Sequence, residues 1–244
     1  MKLWKLIVVS TVVALTVISL ITGIGVTRQL DNERVCTELR IIMTDSVERQ
    51  FVTPAELIRL LRSQELYPVG KRLSNLSTDA IEDAITAHPM VRKAECYPTS
   101  QGEIHIVLSQ RVPLLKVVAE SGNYYIDTDR RPMPVRESVK TPVLIVSGHV
   151  GERMAREEIG DFADWLKRNR YWSRHIRALR VADSKHIYLG QEEGEPVILI
   201  GELNGYERKL RKLRTFMEKG MNMLPERPHY KELDIRYKDQ VIGR

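Results

Sequence analysis

The sequence holds few of the residue patterns from which catalytic or metal sites are built. Its two cysteines, Cys36 and Cys96, lie far apart and show no C-x-x-C spacing. Six histidines are scattered, without the H-x-H or H-x-x-x-H pairs that indicate a metal site. No G-x-S-x-G turn for a nucleophilic serine is present. The short glycine motif at 23–25 lies inside an apolar run, so it does not form a phosphate-binding loop.

The acidic residues offer no better candidate for acid–base chemistry. The carboxylate pairs Glu157-Glu158 and Glu192-Glu193 lie in charged surroundings typical of solvent-exposed segments. A raised pKa for general-acid catalysis requires burial instead. We therefore expect no catalytic residue, no metal ion and no cofactor.

One long apolar segment stands out at the N-terminus. Residues 6–27 contain no charged side chain, and as a helix they would measure about 33 Å, enough to cross a hydrocarbon core of about 30 Å. Lys2 and Lys5 precede the segment, which predicts that residues 1–5 stay in the cytoplasm and residues 28–244 lie outside. A cleaved signal peptide is the alternative, but the apolar run is long and no A-x-A-like site follows it, so a retained anchor is favoured.

The cysteines and the excess of positive charge each allow two interpretations. Outside the cytoplasm Cys36 and Cys96 can form a disulfide, or each can be a small buried hydrophobic residue. The net charge is +6, with the densest basic run at 167–180. On an extracytoplasmic protein that run predicts a solvated face, or one near anionic lipid or wall polymer, rather than a nucleic-acid site.

The pattern after the anchor predicts a compact module of the order strand, helix, helix, strand, strand. The first strand is predicted at Val35 to Met43, and Thr53 with Glu56 forms a capping box before a helix that carries Leu57, Leu60 and Leu61. A second helix begins at Ser77 or Thr78 and ends before Pro89. Two alternating strands follow, at Val91 to Tyr97 and Glu103 to Ser109. We expect two helices on one face of a three-stranded sheet, with a core that includes Leu57, Leu60, Ile81, Ile85, Ile104 and Ile106.

The remaining residues predict a second, sheet-based domain with two helices. The expected strands are 114–119, 124–126, 143–147, 176–181, 186–189 and 197–200, and the expected helices are 152–168 and 205–219. The chain ends in a predicted half-buried strand. There Leu233, Ile235 and Tyr237 alternate with Asp234, Arg236 and Lys238.

Four short motifs in this order resemble landmarks of the FtsQ/DivIB family of bacterial division proteins. They are His88-Pro89-Met90-Val91, Gln110-Arg111-Val112-Pro113, Tyr125-Ile126-Asp127 and Asp234-Ile235-Arg236-Tyr237. Three positions depart from the family pattern. Met90 replaces a frequent tryptophan, Gln110 replaces a glutamate, and Arg130 stands where a glycine is usual.

The resemblance implies an α+β protein with a transmembrane helix at 6–27, a POTRA-like domain at 34–113 and a C-terminal β domain at 114–244. It implies a non-enzymatic, single-pass scaffold of the inner (plasma) membrane, which acts at the division septum. Its expected partners are other division proteins, notably an FtsB/FtsL-like coiled coil, with further partners at the POTRA-like domain and no nucleic acid. The partner-binding residues are then expected to be Leu233, Asp234, Ile235, Arg236, Tyr237 and Lys238, because an edge strand offers unpaired backbone groups to another chain.

Two other classes of protein compete with this interpretation. A membrane-anchored cell-wall enzyme would need a buried carboxylate pair or a serine–lysine dyad, which the sequence does not display. An envelope assembly factor would carry POTRA modules in tandem, whereas a single copy is predicted here. The C-terminal part also lacks the many alternating segments of a membrane barrel.

Overall fold

The protein is described here from a computed structural model that covers residues 34–44, 50–120, 122–139, 141–220 and 230–244. The chain forms two compact units, one ending at Gln110 and the other running from Arg111 to Arg244. Both combine helices with sheets in the α+β manner that the sequence predicts. The predicted membrane segment at 6–27 lies outside the described residues. Within those ranges no helix has both the length and the apolarity needed to cross a membrane.

The first unit has the predicted order of elements. These are β1 (Glu38–Met43), α1 (Pro54–Ser63), α2 (Thr78–Thr86), β2 (Val91–Pro98) and β3 (Glu103–Gln110), with a 3-10 turn at Leu73–Asn75. Strand β3 lies in the middle of the sheet, parallel to β1 and antiparallel to β2. The first strand begins three residues later than predicted, because the backbone of Val35 and Cys36 pairs with Arg72 and Lys71 instead of with β3.

Local hydrogen bonds explain why both helices begin where they do. The Thr53 hydroxyl accepts a hydrogen bond from the Glu56 amide, and the Glu56 carboxylate accepts one from the Thr53 amide at 2.9 Å. This is the predicted capping box, which satisfies two amides at the helix start. Ser77 caps α2 in the same way through the amide of Ala80. The two predicted helix starts are therefore confirmed.

The core of the first unit contains the predicted residues with one exception. Leu60 is only half-buried, while Leu61 is fully buried. The fully buried members are Leu57, Leu61, Ile81, Ile85, Ile104 and Ile106. Gln110, at the position where the family pattern has glutamate, is also buried, and its Oε1 atom accepts hydrogen bonds from the amides of Phe51 and Val52 at 2.7 and 3.0 Å. An amide can thus serve this position, because its Oε1 atom accepts these two hydrogen bonds as a carboxylate oxygen would.

Cys36 and Cys96 are both buried with free thiols. Burial raises the pKa of the Cys96 thiol to about 12, with the Glu82 carboxylate adding to the effect. Both thiols are therefore protonated at neutral pH. This matches the interpretation of the two cysteines as small hydrophobic core residues.

The second unit is built on a nine-stranded mixed sheet with the order β12-β11-β10-β9-β8-β7-β4-β5-β6. Its strands are β4 (Pro113–Ala119), β5 (Gly122–Asp127), β6 (Pro132–Pro134), β7 (Leu144–Gly148), β8 (Ala178–Asp183), β9 (His186–Gly190), β10 (Val197–Leu199), β11 (Glu232–Asp234) and β12 (Ile242–Gly243). Its helices are α3 (Glu152–Arg156), α4 (Glu158–Arg168), α5 (Trp172–His175) and α6 (Tyr206–Thr215). Their apolar residues and alternate strand residues form one buried cluster, which includes Phe162, Leu166, Leu210, Val117 and Leu189.

Several elements of the second unit differ from the prediction. The single helix predicted at 152–168 is divided at Glu157, whose backbone leaves the helical region with φ −88° and ψ −84°. The helix predicted at 205–219 ends in a π-helical segment, Phe216–Gly220. The short strands β6 and β12 and the four-residue helix α5 were not predicted, since none of them is long enough to show a periodic pattern.

The turn after β5 accommodates the arginine that replaces a glycine. Arg130 has a positive φ of 63°, a region that glycine enters more easily than other residues. The buried Asp127 closes the turn by accepting hydrogen bonds from the amides of Asp129 and Arg131. The Arg130 guanidinium then crosses Gly160 and forms ion pairs with Asp161 and Asp164 at 2.9 and 2.6 Å. These contacts offset the strain of the left-handed backbone.

Candidate partner-binding edge

The predicted strand at 233–238 is shorter than expected, and its alternation is wrong. Strand β11 ends at Asp234, and Leu233, Asp234 and Ile235 are all fully buried. Tyr237, which the alternation groups with Leu233 and Ile235, is 48% exposed instead. The pairing of β11 with β10 ends at Asp234, so the residues beyond it no longer follow the period of two that a strand imposes.

Asp234 is buried because Arg236 neutralises it. The guanidinium donates from Nε to one carboxylate oxygen at 3.0 Å and from Nη2 to the other at 2.8 Å. Burial alone would raise the pKa of Asp234, but the hydrogen bonds and the charge of Arg236 outweigh it and the pKa is lowered. The pKa of Arg236 is raised by the same hydrogen bond. Arg236, predicted to be available for an acidic partner side chain, is thus occupied by a neighbour two residues away.

Lys212 and Gly201, which both lie far from it in the sequence, fix the segment that follows β11. The Lys212 ammonium, on α6, donates to the carbonyl oxygens of Ile235, Tyr237 and Gln240, at 3.2 Å and 2.7 Å for the first and last. Gly201 has a φ of +74°, and a Cβ atom there would lie 2.8 Å from Cγ of Arg236. A larger residue at 201 would therefore displace Arg236 from its ion pair.

Strand β12 forms one edge of the nine-stranded sheet. It pairs antiparallel with β11, with Gly243 opposite Leu233 and Ile242 opposite Asp234. Arg244 and Glu232 exchange backbone hydrogen bonds in both directions, at 3.0 and 3.1 Å. Because hydrogen-bonded and non-hydrogen-bonded pairs alternate along an antiparallel ladder, the backbone N–H and C=O of Gly243 point away from β11. Among the described strands, none occupies that outer side.

The six residues predicted to bind a partner therefore occupy three different environments. Leu233, Asp234 and Ile235 hold the strand inside the unit, Arg236 forms the buried ion pair, and Tyr237 and Lys238 reach solvent. Sequence reasoning missed Lys212 and strand β12. The apolar pair Val241-Ile242 followed by Gly243 was a weak signal for that strand, since two residues are too few to establish a pattern.

The described residues show no metal site. No three histidine, cysteine, aspartate or glutamate side chains there are grouped so that they can hold a metal ion. The six basic residues of the run 167–180 are all exposed, whereas Trp172 within it is buried. These six basic side chains therefore reach solvent, and Trp172 packs into the core beneath them.

The order strand, helix, helix, strand, strand makes the first unit a POTRA-like domain, and comparison with known families agrees. Residues 34–109 match the POTRA-like domain family. The C-terminal unit identifies the family, because residues 112–244, more than half of the chain, match the family described as FtsQ/DivIB, C-terminal related. The chain belongs to the FtsQ/DivIB family. A search of the curated proteins finds no match. FtsQ/DivIB proteins are non-enzymatic division proteins, so the family gives the chain a scaffold role in cell division.

Proposed function

We propose that this protein is a membrane-anchored scaffold of the bacterial divisome that docks an FtsB/FtsL-like coiled-coil partner at the C-terminal edge of its nine-stranded sheet. The observation that carries the proposal is the outer side of β12, which no described strand occupies and toward which the backbone groups of Gly243 point. A partner segment can pair with such groups and extend the sheet, while its side chains provide specificity.

The residues near this edge have separate roles in the proposal. Tyr237 and Lys238 supply the exposed side chains, and Tyr237 is of the residue type that often dominates interface energies. Leu233, Asp234, Ile235 and Arg236 belong to the docking region as its support, because they hold the backbone in position. Lys212 serves the same purpose from α6.

The POTRA-like unit offers a second edge for other division proteins. Strand β1 lies at one side of the three-stranded sheet, and Ile42 on it is 41% exposed. The same strand-addition chemistry applies there. We include this edge in the proposal because β1 pairs on one side only, with β3, among the described strands.

The anchor completes the proposal. We propose residues 1–5 in the cytoplasm, a membrane helix at 6–27, a POTRA-like domain at 34–113 and a β domain at 114–244, located at the septum in the inner membrane. The support is the uncharged length of 6–27 and the lysines before it. Protease added to spheroplasts should digest residues beyond 28. Full protection of the chain would reject this topology.

The docking edge is tested most simply by replacing Tyr237. We expect Tyr237→Ala to weaken binding of the extracytoplasmic segment of an FtsB-like partner by about 1 to 4 kcal/mol, with folding retained because the side chain is half exposed. Tyr97→Ala is the matched control, since Tyr97 in the POTRA-like unit is 43% exposed. Titration calorimetry with the purified full chain measures both variants. Equal affinity of wild type and Tyr237→Ala would remove this residue from the interface.

Arg236→Glu does not serve as a test of binding alone. The substitution would place a second carboxylate beside the buried Asp234. It would also remove the guanidinium that donates to both of its carboxylate oxygens. Loss of folding and loss of binding would then be indistinguishable. Lys238→Glu, at an exposed position, reports on charge at the edge without this complication.

A further inference from the structure

A basic cavity lies in the second unit, apart from the docking edge. It has a volume of ≈ 510 Å³ and lies between the C-terminal end of α4, the short helix α5 and the last turn of α6. Four arginines line it, namely Arg168, Arg170, Arg174 and Arg214, and none of its described lining residues is acidic. The cavity therefore gathers positive charge in a concave space, which a scattered solvated face does not do.

The floor of the cavity is an ordered aromatic stack. The Tyr171 ring stacks on His175 with centroids 4.4 Å apart, and the Arg214 guanidinium lies 4.5 Å from the same ring. Tyr171 also meets the buried Trp172 edge to face at 4.9 Å. This packing fixes the position of Tyr171 before any ligand arrives, and a preorganised site loses less entropy on binding.

The backbone around the stack is held by side chains of the same segment. The Oδ1 atom of Asn169 accepts hydrogen bonds from the amides of Tyr171 and Trp172, at 3.2 and 3.1 Å. Nδ1 of His175 lies 2.8 Å from the Tyr171 carbonyl oxygen. Since a carbonyl only accepts, Nδ1 carries the hydrogen, and Nε2 is left as the second polar atom of the ring.

The charges of the cavity are not balanced within the described residues. Arg214 forms an ion pair with Glu218 at 2.7 Å. Glu218 and Glu195 act electrostatically on Tyr171, yet neither lines the cavity. Arg168, Arg170 and Arg174 are exposed, and none of the three forms an ion pair with a carboxylate in the described ranges. Three cationic groups thus remain available to an anion.

We propose that this cavity binds a phosphate-bearing anion, either the headgroup of an anionic phospholipid or a free phosphate compound. Arginine rather than lysine dominates the lining, and its planar guanidinium matches phosphate oxygens with two parallel hydrogen bonds. The site is independent of the proposed docking edge, so either can fail without the other.

The test compares two double variants with the same change in charge. Arg170→Gln/Arg174→Gln removes two cavity arginines, and Arg208→Gln/Arg211→Gln removes two exposed arginines of α6 that do not line it. The full chain in phosphatidylcholine nanodiscs is titrated with inorganic pyrophosphate by calorimetry. We expect the cavity variant to bind at least about tenfold more weakly, because each charge-assisted hydrogen bond contributes substantially. The control variant should stay within about twofold.

A second arm identifies the source of the phosphate. The nanodiscs are sedimented with vesicles of phosphatidylcholine alone or mixed with phosphatidylglycerol. Dependence of sedimentation on phosphatidylglycerol and on Arg170 and Arg174 assigns a lipid headgroup, and binding of pyrophosphate alone assigns a free phosphate compound. The proposal is overturned if neither pyrophosphate nor phosphatidylglycerol vesicles bind, if both double variants weaken binding equally, or if only a polyglutamate peptide binds.

Discussion

The core of the first unit and the C-terminal edge of the second are stabilised by different interactions. In the POTRA-like unit the residues that fix the fold are apolar and fully buried, such as Ile81, Ile85 and Ile106. At the C-terminal edge of the second unit the decisive contacts are made by charges. Asp234 is fully buried beside Arg236, and Lys212 binds three backbone carbonyls.

This difference teaches how each unit responds to change. Burial of apolar surface is distributed over many contacts and is not sensitive to pH. A buried charge depends on few partners, for Asp234 on Arg236 at 2.8 Å and Arg244 at 3.9 Å, and removal of the nearer one leaves a buried charge with little compensation. We therefore expect the POTRA-like unit to fail when a charge is introduced, and the C-terminal edge to fail when a charge is removed.

The largest effect is expected from Ile106→Asp. Ile106 lies on the central strand β3 and is completely buried. An unpaired carboxylate there costs several kcal/mol, comparable with the whole stability of a small domain. Hydrogen exchange measured by mass spectrometry should show rapid exchange throughout 50–110, with the second unit unchanged. Val107→Asp, on the other face of the same strand and half-buried, should leave exchange nearly as in the wild type. Retention of slow exchange in Ile106→Asp would reject the assigned core.

A smaller but sharper effect is expected from Asp234→Asn. An asparagine side chain carries no negative charge to pair with the Arg236 guanidinium. We therefore expect a loss of about 2 to 3 kcal/mol in the free energy of unfolding. This is less than for a fully buried pair, because Arg236 is 30% exposed. Chemical denaturation at pH 7 measures it. Glu232→Gln is the control, since its ion pair with Arg244 is more exposed. A larger loss for the control would contradict the importance of the Asp234 pair.

The same pair predicts a dependence on pH. The folded-state pKa of Asp234 lies below its ordinary value of 3.8. Its contribution to stability is thus complete above that value and is lost as the pH falls through the lowered pKa. The stability difference between wild type and Asp234→Asn should be largest near pH 7 and shrink toward pH 2. A difference that stays constant over this range would show that Asp234 is not ionised in the folded protein.

The smallest effect concerns the turn that carries Arg130. Alanine in place of a helical glycine normally adds about 1 kcal/mol of stability, but a Cβ at Gly160 would lie 2.9 Å from the Arg130 guanidinium. We expect Gly160→Ala to stabilise the protein only in an Arg130→Gly background, where the guanidinium is absent. Thermal unfolding of the four members of this cycle measures the coupling. Equal effects of Gly160→Ala in both backgrounds would show that the Arg130 guanidinium does not pack against Gly160.

The sequence predicted the POTRA-like unit well because its signals are local. The capping box of Thr53 and Glu56, the stop before Pro89 and the alternation through Ile104 and Ile106 each depend on neighbours a few residues away. It did not predict that Leu60 is only half-buried, nor the late start of β1. That start depends on a loop near Arg72, which is distant in the sequence.

The C-terminal edge was predicted less well because its contacts are distant. The alternation through 233–238 favoured a longer strand with Asp234 facing solvent. The fold instead buries Asp234, since Arg236 folds back onto it, Lys212 fixes the carbonyls that follow, and Gly201 leaves room for Arg236. No pattern within six residues contains that information. The resemblance to FtsQ/DivIB, carried by motifs spread over the chain, was the better guide to the family.

The central claim is that a partner extends the C-terminal sheet by pairing with β12, and hydrogen exchange tests it directly. The amides of 241–244 in the full chain are followed with and without the extracytoplasmic segment of an FtsB-like partner. We predict slower exchange at Gly243, whose N–H points outward, and no change at the amides of β8 in the middle of the same sheet. Unchanged exchange at 241–244 after the partner is added would contradict the claim.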